Sequence, residues 1–247
     1  MKMLMFAKRN MKEILRDPLN LAFGIGFPLV LIILLSAIQA SIPKDAQVSL
    51  FEIENLTPGI TIFGLSFMTL FSATLISKDR TTAFLERLYT TPLRPIDFIL
   101  GYTLPIIPIA LMQTLICYIA GFILGLEFSI NIIFALLLII PISILYIGLG
   151  LLFGSILNDK QVGGVCGALL TNLSAWLSGI WFDLSLVGGA FEKIANILPF
   201  VHAVELEKAI MLGNMSNSLI HLIWVLGYAI VIMLLAVVLF LRQMKKR

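Results

Sequence analysis

The sequence predicts an all-α polytopic membrane protein with six transmembrane helices. Of its 247 residues, 60% are hydrophobic and 13% are charged, against roughly one half and one quarter in soluble domains. Apolar blocks recur from Leu19 to Leu241 with short polar interruptions, and the basic residues fall in alternate segments between them. A soluble fold could not bury this much apolar surface. We therefore expect one membrane domain over residues 1–247, without a soluble module.

Six apolar stretches are long enough to cross a bilayer. A hydrocarbon core about 30 Å thick requires about 20 residues of helix, because every backbone amide must be hydrogen-bonded within the helix. None of the predicted spans contains Asp, Glu, Lys or Arg; they are residues 19–42, 57–77, 98–124, 130–157, 162–182 and 218–241. The first is longer than the apolar core of a signal peptide and others follow it, so we expect it to be retained as a membrane helix.

The distribution of Lys and Arg predicts the orientation. The N-terminal segment, residues 78–97, residues 158–161 and the C-terminal tail together hold 14 of the 17 basic residues. By the positive-inside rule these segments are cytoplasmic. Both termini are then on one side of the membrane, which requires an even number of spans.

Residues 1–17 precede the first span and are predicted to form an amphipathic interface helix. Leu4, Ala7, Met11 and Ile14 repeat at helical spacing, and basic residues occupy other positions. This pattern is typical of a helix that lies on the inner leaflet. It is compatible with a membrane anchor and with a contact surface for a cytoplasmic partner.

The cytoplasmic loop of residues 78–95 is predicted to contain a short helix. Phe84, Leu85, Leu88 and Tyr89 fall on one stripe of that helix, and Pro92 restricts the residue before it and ends the pattern. An apolar ridge of this kind fits a groove in a partner protein.

The outer segment of residues 183–217 is predicted to form short re-entrant helices before the sixth span. Phe191, Ile194, Ala195 and Leu198 recur at helical spacing there. Because irregular backbone at membrane depth must be buried in protein or line a cavity, we expect these helices to dip into the outer leaflet and cap a pathway.

Several classes of chemistry are disfavoured. Cys117 and Cys166 lie in separate apolar stretches, and neither they nor His202 and His221 have the spacing of metal ligands. We expect free thiols, no metal and no cofactor in this chain. The glycine-rich residues 163–167 lack the lysine of a phosphate-binding loop, and the scattered net charge of +3 does not favour nucleic acid.

The loop after the second span carries a family resemblance. The run from Arg80 to Arg94, followed by Leu100-Gly101, resembles the permeases of the type-2 ABC transporters, and Ser178-Gly179 and the run from Leu198 to Glu205 extend the resemblance. The matching residues in the loop are Leu85, Glu86, Arg87, Leu88, Thr91, Pro92 and Leu93. The chain departs from the family pattern at Thr81, Ala83, Phe84 and Asp183.

The resemblance implies a function and partners. The loop helix is then a coupling helix seated on a separate nucleotide-binding ATPase subunit, which binds ATP and Mg²⁺, so this chain is not itself an enzyme. A second permease, a copy or a paralogue, and a bacterial or archaeal cytoplasmic membrane are also implied. The predicted coupling residues are Arg80, Phe84, Leu85, Glu86, Arg87, Leu88, Tyr89 and Pro92.

A second set of residues is a candidate substrate surface: Asn172, Trp176, Ser178, Trp181 and Phe182. The alternative is interhelical hydrogen bonding together with an aromatic belt at the membrane interface.

The loop sequence is more similar to the drug and antibiotic branch of the family than to the polysaccharide branch. This similarity implies export of an amphipathic drug, antibiotic or lipid-like substrate. A polysaccharide or teichoic-acid precursor is the alternative cargo. Two alternatives to a transport function are an intramembrane enzyme and a non-transporting membrane anchor. The enzyme would need paired acids or a zinc-binding helix within the membrane.

Overall fold

The computed structural model describes residues 2–82, 84 and 94–245, and the regular structure of these residues is helical without a strand. Six of the predicted coupling residues, Leu85, Glu86, Arg87, Leu88, Tyr89 and Pro92, lie outside the described residues.

The helices are numbered in chain order. The N-terminal half contains α1 (Lys2–Leu15), α2 (Pro18–Ser41), α3 (Ile53–Thr81), α4 (Pro95–Thr103) and α5 (Ile106–Ile123). The C-terminal half contains α6 (Asn131–Ile156), α7 (residues 159–176), α8 (Leu184–Val187), α9 (Gly189–Ile197), α10 (Pro199–Met211) and α11 (Met215–Lys245). Two of them include π-helical segments, Ala22–Gly26 in α2 and Gly163–Leu170 in α7.

Five stretches of the described chain are long and apolar enough to cross a membrane: Pro18–Ser41, Ile53–Thr81, Ile96–Ile123, Asn131–Ile156 and Met215–Gln243. They coincide with five predicted spans to within four residues at each end. The predicted span over residues 162–182 is not among them. Helix α7 occupies this region, but it begins with the polar turn Asp159–Val162 and ends at Trp176. The predicted fifth span, over residues 162–182, therefore stays a prediction.

Helix α3 is the centre of the bundle and is buried along most of its length. Its closest neighbour is α6, where a Cβ atom added to Gly150 would lie 2.4 Å from the carbonyl oxygen of Thr69. The hydroxyl of Thr69 donates a 3.0 Å hydrogen bond to the Tyr146 carbonyl across this contact, and that of Ser72 donates a 3.1 Å bond to Ile147. Small residues and interhelical hydrogen bonds hold helices together where lipid removes the usual hydrophobic driving force.

Pro105 separates α4 from α5. Proline has no backbone N–H, so it cannot donate the helical hydrogen bond to the carbonyl four residues earlier. The chain turns at Leu104 and Pro105 and resumes as α5 at Ile106. The third membrane helix is thus made of two segments.

Helix α1 lies within the predicted interface segment and buries one face against the bundle. Phe6, Ala7, Asn10 and Ile14 are buried, whereas the side chain of Leu4 is 62% exposed. Helix α1 packs on α4 through Phe6 and Asn10, and the exposed Leu4 lies outside that contact. The location of α1 on the membrane surface stays a prediction.

Residues 183–217 contain the short helices α8, α9 and α10. Helix α10 is largely buried, and its Phe200 ring stacks on Tyr146 of α6 at 6.3 Å between centroids. Gly213 has a positive φ of 73° and ends this helix before α11 begins. Insertion of α9 and α10 into a leaflet stays a prediction.

Candidate functional site

In the sequence, residues 83–93 connect the last turn of α3 to the first turn of α4. Helix α1 packs beside the last turn of α3 and the last turn of α4, and the end of α6 packs beside the last turn of α3. We call this region the loop end of the bundle. A concentration of polar side chains in an otherwise apolar protein makes it the candidate functional site.

Asp79, in the last turn of α3, is the centre of the site. Only 1% of the residue is exposed. Its Oδ2 accepts a 2.7 Å bond from Nη1 of Arg9 and a 2.9 Å bond from the hydroxyl of Tyr102. A buried carboxylate requires such partners, because leaving water is costly for an unpaired charge. Asp79 therefore joins α1, α3 and α4 through one oxygen atom.

Arg9 carries this junction toward the loop. Its guanidinium also contacts Oε2 of Glu13 at 2.7 Å and lies 4.2 Å above the ring of Phe84. Partial burial alone would lower the pKa of Arg9, but the hydrogen bond and charge of Asp79, and then the charge of Glu13, raise it above its ordinary value. The cation is thus held against an aromatic residue of the predicted coupling segment.

Asn10 and Phe6 dock α1 on α4. The Asn10 side chain is fully buried, and its Nδ2 donates a 2.9 Å bond to the carbonyl of Gly101. Phe6 packs edge-on against Tyr102 at 5.0 Å between ring centroids and lies directly over Gly101, where a Cβ atom would overlap it. The absence of a side chain at Gly101 lets the two helices approach.

Arg80 joins α3 to α6. Its Nη1 donates to the carbonyl oxygens of Gly154 at 2.8 Å and Leu157 at 3.2 Å, at the C-terminal end of α6. A cation is favourable there, because the last carbonyls of a helix lack partners within the helix and carry partial negative charge. Of the predicted coupling residues, Arg80 and Phe84 are the described ones, and both belong to the loop end.

Sequence reasoning missed Arg9, Asn10, Asp79 and Tyr102 as members of this site. Asp79 offered a signal, since it is an acidic residue at the boundary of a long apolar span. Its partner Arg9 is 70 positions away in sequence. No local spacing links them.

The predicted substrate residues differ in burial and in the elements that they contact. Asn172 is exposed and donates to the Ala168 carbonyl within its own helix, and Trp176 is 54% exposed. Ser178 is buried and donates to the Ala175 carbonyl. Trp181 packs on Phe63, and Phe182 packs on Phe191.

An aromatic ladder connects α2, α3 and Trp181. Phe63 of α3 contacts Trp181, Phe27 and Phe67 with centroid distances of 5.6 to 6.0 Å, and Phe23 stacks on Phe67 at 6.3 Å. Phe23 and Phe27 are 46% and 39% exposed. The ladder therefore presents two aromatic faces outside the bundle.

The opposite end of the bundle contains a buried carboxyl group. Glu207 of α10 has no exposed surface, and its Oε1 accepts a 2.7 Å bond from the hydroxyl of Tyr118 in α5. Burial raises the pKa of Glu207 to about 8, with a smaller lowering by the Tyr118 bond. Nearby, ring nitrogens of His202 and His221 lie 2.9 Å apart and tie α10 to α11.

We expect Glu207→Gln to remove a pH dependence of stability. The pKa of Glu207 rises from 4.5 in the unfolded chain to about 8 in the folded protein. The folded state then binds more protons between these values, so stability declines as pH increases from about 4.5 to about 8. Glutamine keeps the acceptor for Tyr118 and cannot ionise. Thermal unfolding in detergent across this range should show a shallower decline for the variant.

The matched control is Glu205→Gln, which removes a carboxylate from the same helix and leaves Glu207 in place. It is expected to retain the wild-type decline. An equal decline in Glu207→Gln and wild type would contradict the role given to Glu207.

The five apolar helices, together with a polar junction around a loop between two of them, define a polytopic helical membrane protein. Residues 2–212 match the family described as ABC-2 type transporter. Because the match covers most of the chain, the protein belongs to this family, as the loop motif indicated, and is a membrane transport component. No curated protein matches the sequence.

Proposed function

We propose that this chain is the permease subunit of an ATP-binding cassette exporter and that the loop of residues 78–95 couples it to a separate ATPase. The observation that carries the proposal is the junction at Asp79, where α1, α3 and α4 meet beside that loop. ATP and Mg²⁺ are then bound by the ATPase subunit, which the family typically requires.

The junction supplies a route for mechanical coupling. A displacement of the loop acts on α3 through its last turn, where Asp79 and Arg80 are bonded to three other helices. Helix α3 is in backbone contact with α6 at Gly154, so it cannot move independently of that helix. Tight packing of this kind transmits strain because interiors are close-packed.

The proposed topology has six spans with both termini in the cytoplasm, in the inner membrane of a bacterium or archaeon. Helix α7 and the residues up to Phe182 then form the fifth span, and residues 1–247 form one permease domain. The distribution of basic residues supports this orientation, since the loop end contains Lys78, Arg80 and the basic residues of α1. A second permease, identical or paralogous, completes the pathway.

The aromatic ladder supports an amphipathic cargo. Phe23 and Phe27 are exposed on α2, and they are backed by Phe63, Phe67 and Trp181. Aromatic faces bind apolar rings by stacking and cations by their negative face. We propose that a drug, antibiotic or lipid-like molecule passes along this surface between two permeases.

The proposal is tested by what co-purifies with the tagged chain from its native membrane in mild detergent. Mass spectrometry is expected to find an ATPase subunit carrying a phosphate-binding loop, in equal amount. Recovery of this chain alone under several mild conditions would contradict the proposal and favour a membrane anchor. If deletion of the chain removes a surface glycopolymer and leaves drug resistance unchanged, the proposal of an amphipathic cargo is wrong.

The coupling segment is tested by Glu86→Ala and Arg87→Ala. Both residues belong to the family motif in the loop, so each substitution is expected to uncouple ATP hydrolysis from transport or to release the ATPase. The measurements are ATP-driven transport in proteoliposomes and the amount of ATPase that co-purifies. Glu192→Ala, a loss of charge on α9, is the control. Unchanged transport in both loop variants would contradict the assigned role.

A further inference from the structure

A basic cavity lies beside the loop end, between α1 and the start of α2. Its volume is about 730 Å³, and its lining includes Lys8, Arg9, Lys12, Arg16 and Lys78. Glu13 and Asp17 are the carboxylates of the lining. The cavity thus carries an excess of three positive charges.

Three of the five cations have no carboxylate at ion-pair distance within the described chain. Glu13 contacts Arg9 and Asp17 contacts Lys78, which leaves Lys8, Lys12 and Arg16. These three are spaced four residues apart, so Lys8 and Lys12 project from one face of α1 and Arg16 follows directly after the helix. Like charges at this spacing repel each other, and a bound anion would relieve the repulsion.

Exposed apolar residues follow the cavity lining along the chain. Pro18 lines the cavity and begins α2, and the next outward-facing residues of that helix are Leu19 and Phe23, which are 66% and 46% exposed. Met5 on α1 is also in the lining and is 57% exposed. Clustered cations followed by an apolar helix face match a phospholipid, with its phosphate at the cations and its acyl chains along the helix. An acidic protein surface would not cover the apolar part.

We propose that this cavity binds the headgroup of an anionic phospholipid of the phosphatidylglycerol class. The phosphate lies among Lys8, Lys12 and Arg16, and the acyl chains follow α2 past Leu19 and Phe23. Arg9 lines the same cavity and bonds Asp79. The lipid therefore fixes α1 at the position in which Arg9 reaches the buried carboxylate, and the membrane composition regulates the loop end.

The test compares two lipids on the purified chain in mild detergent. Dioleoyl-phosphatidylglycerol and dioleoyl-phosphatidylcholine are titrated separately, and bound lipid is counted by native mass spectrometry. One phosphatidylglycerol is expected to bind preferentially to the wild type. Each basic residue near an anionic headgroup contributes roughly fivefold to affinity, so Lys8→Gln with Lys12→Gln is expected to lower it about 25-fold.

Matched variants separate the site from general charge. Lys44→Gln with Lys193→Gln removes two exposed lysines, one between α2 and α3 and one on α9, and is expected to keep the preference. Lys8→Arg with Lys12→Arg preserves charge and is also expected to keep it, which excludes misfolding as the cause of the loss.

Three results would overturn the proposal. The first is equal binding of the two lipids by the wild type, and the second is an unchanged preference after Lys8→Gln with Lys12→Gln. The third is displacement of phosphatidylglycerol by inorganic phosphate at the same concentration, which would indicate a free anion instead of a lipid. The readout does not involve the ATPase, so its failure is distinct from failure of the proposed function.

Discussion

Asp79→Ala is expected to abolish ATP-driven transport and to destabilise the bundle by about 3 kcal/mol. Breaking a buried ion pair by removing one partner costs about 3–5 kcal/mol, since the remaining charge is left unpaired. The Arg9 side chain is 36% exposed and keeps Glu13 as a partner, so we expect the lower end of that range. Thermal unfolding in detergent and transport in proteoliposomes measure the two effects.

Two variants identify the cause of the loss. Asp45→Ala removes an exposed aspartate from another loop and should change neither quantity. Tyr102→Phe removes one hydrogen bond to Asp79 and is expected to cost about 1 kcal/mol. If the double variant of Arg9→Ala and Asp79→Ala lost the sum of the two single effects, the residues would not act as a pair, and the proposed junction would be wrong.

Gly154→Val is expected to prevent assembly of the bundle, and Gly154→Ala to cost about 2 kcal/mol. A Cβ atom at this position would lie 2.7 Å from both the Cα and the carbonyl oxygen of Ala73 in α3. Overpacking of a filled interior costs about 1–3 kcal/mol. The obstructing atoms here are backbone and cannot rotate away. The same contact holds the end of α6 that Arg80 caps, so transport is expected to decline with stability.

Gly227→Ala is the matched control for the glycine substitution. It also lies within a long apolar helix, but a Cβ atom at Gly227 would meet nothing within 4 Å. Alanine is favoured over glycine in a helix by about 0.5–1 kcal/mol, so this variant should be as stable as the wild type or slightly more stable. Equal destabilisation by Gly154→Ala and Gly227→Ala would show that close approach to α3 is not the cause.

Composition and length predicted five of the membrane helices because a span has to be long, apolar and free of charge. The same criteria do not describe α7, whose first turn contains Asp159 and Lys160. On α1, periodicity predicted a helix, but it could not indicate that the buried Asn10 docks against another helix.

The aromatic ladder and the junction at Asp79 differ in how much of each could be predicted from the sequence. Phe23 and Phe27, like Phe63 and Phe67, are four residues apart, so helical spacing alone places each of these two pairs on one helix face. The contacts between the pair on α2 and the pair on α3 could not be predicted from spacing. The Arg9 to Asp79 bond depends entirely on tertiary packing, which local patterns do not encode.

The break at Pro105 determines where α1 attaches. In an unbroken helix the carbonyl of Gly101 would accept a bond from the N–H of residue 105, but proline has none. That vacant acceptor is the atom to which Asn10 donates. A break in one membrane helix thus provides the hydrogen-bond acceptor on which another helix docks. Pro105 therefore influences the position of α1 without having to contact it.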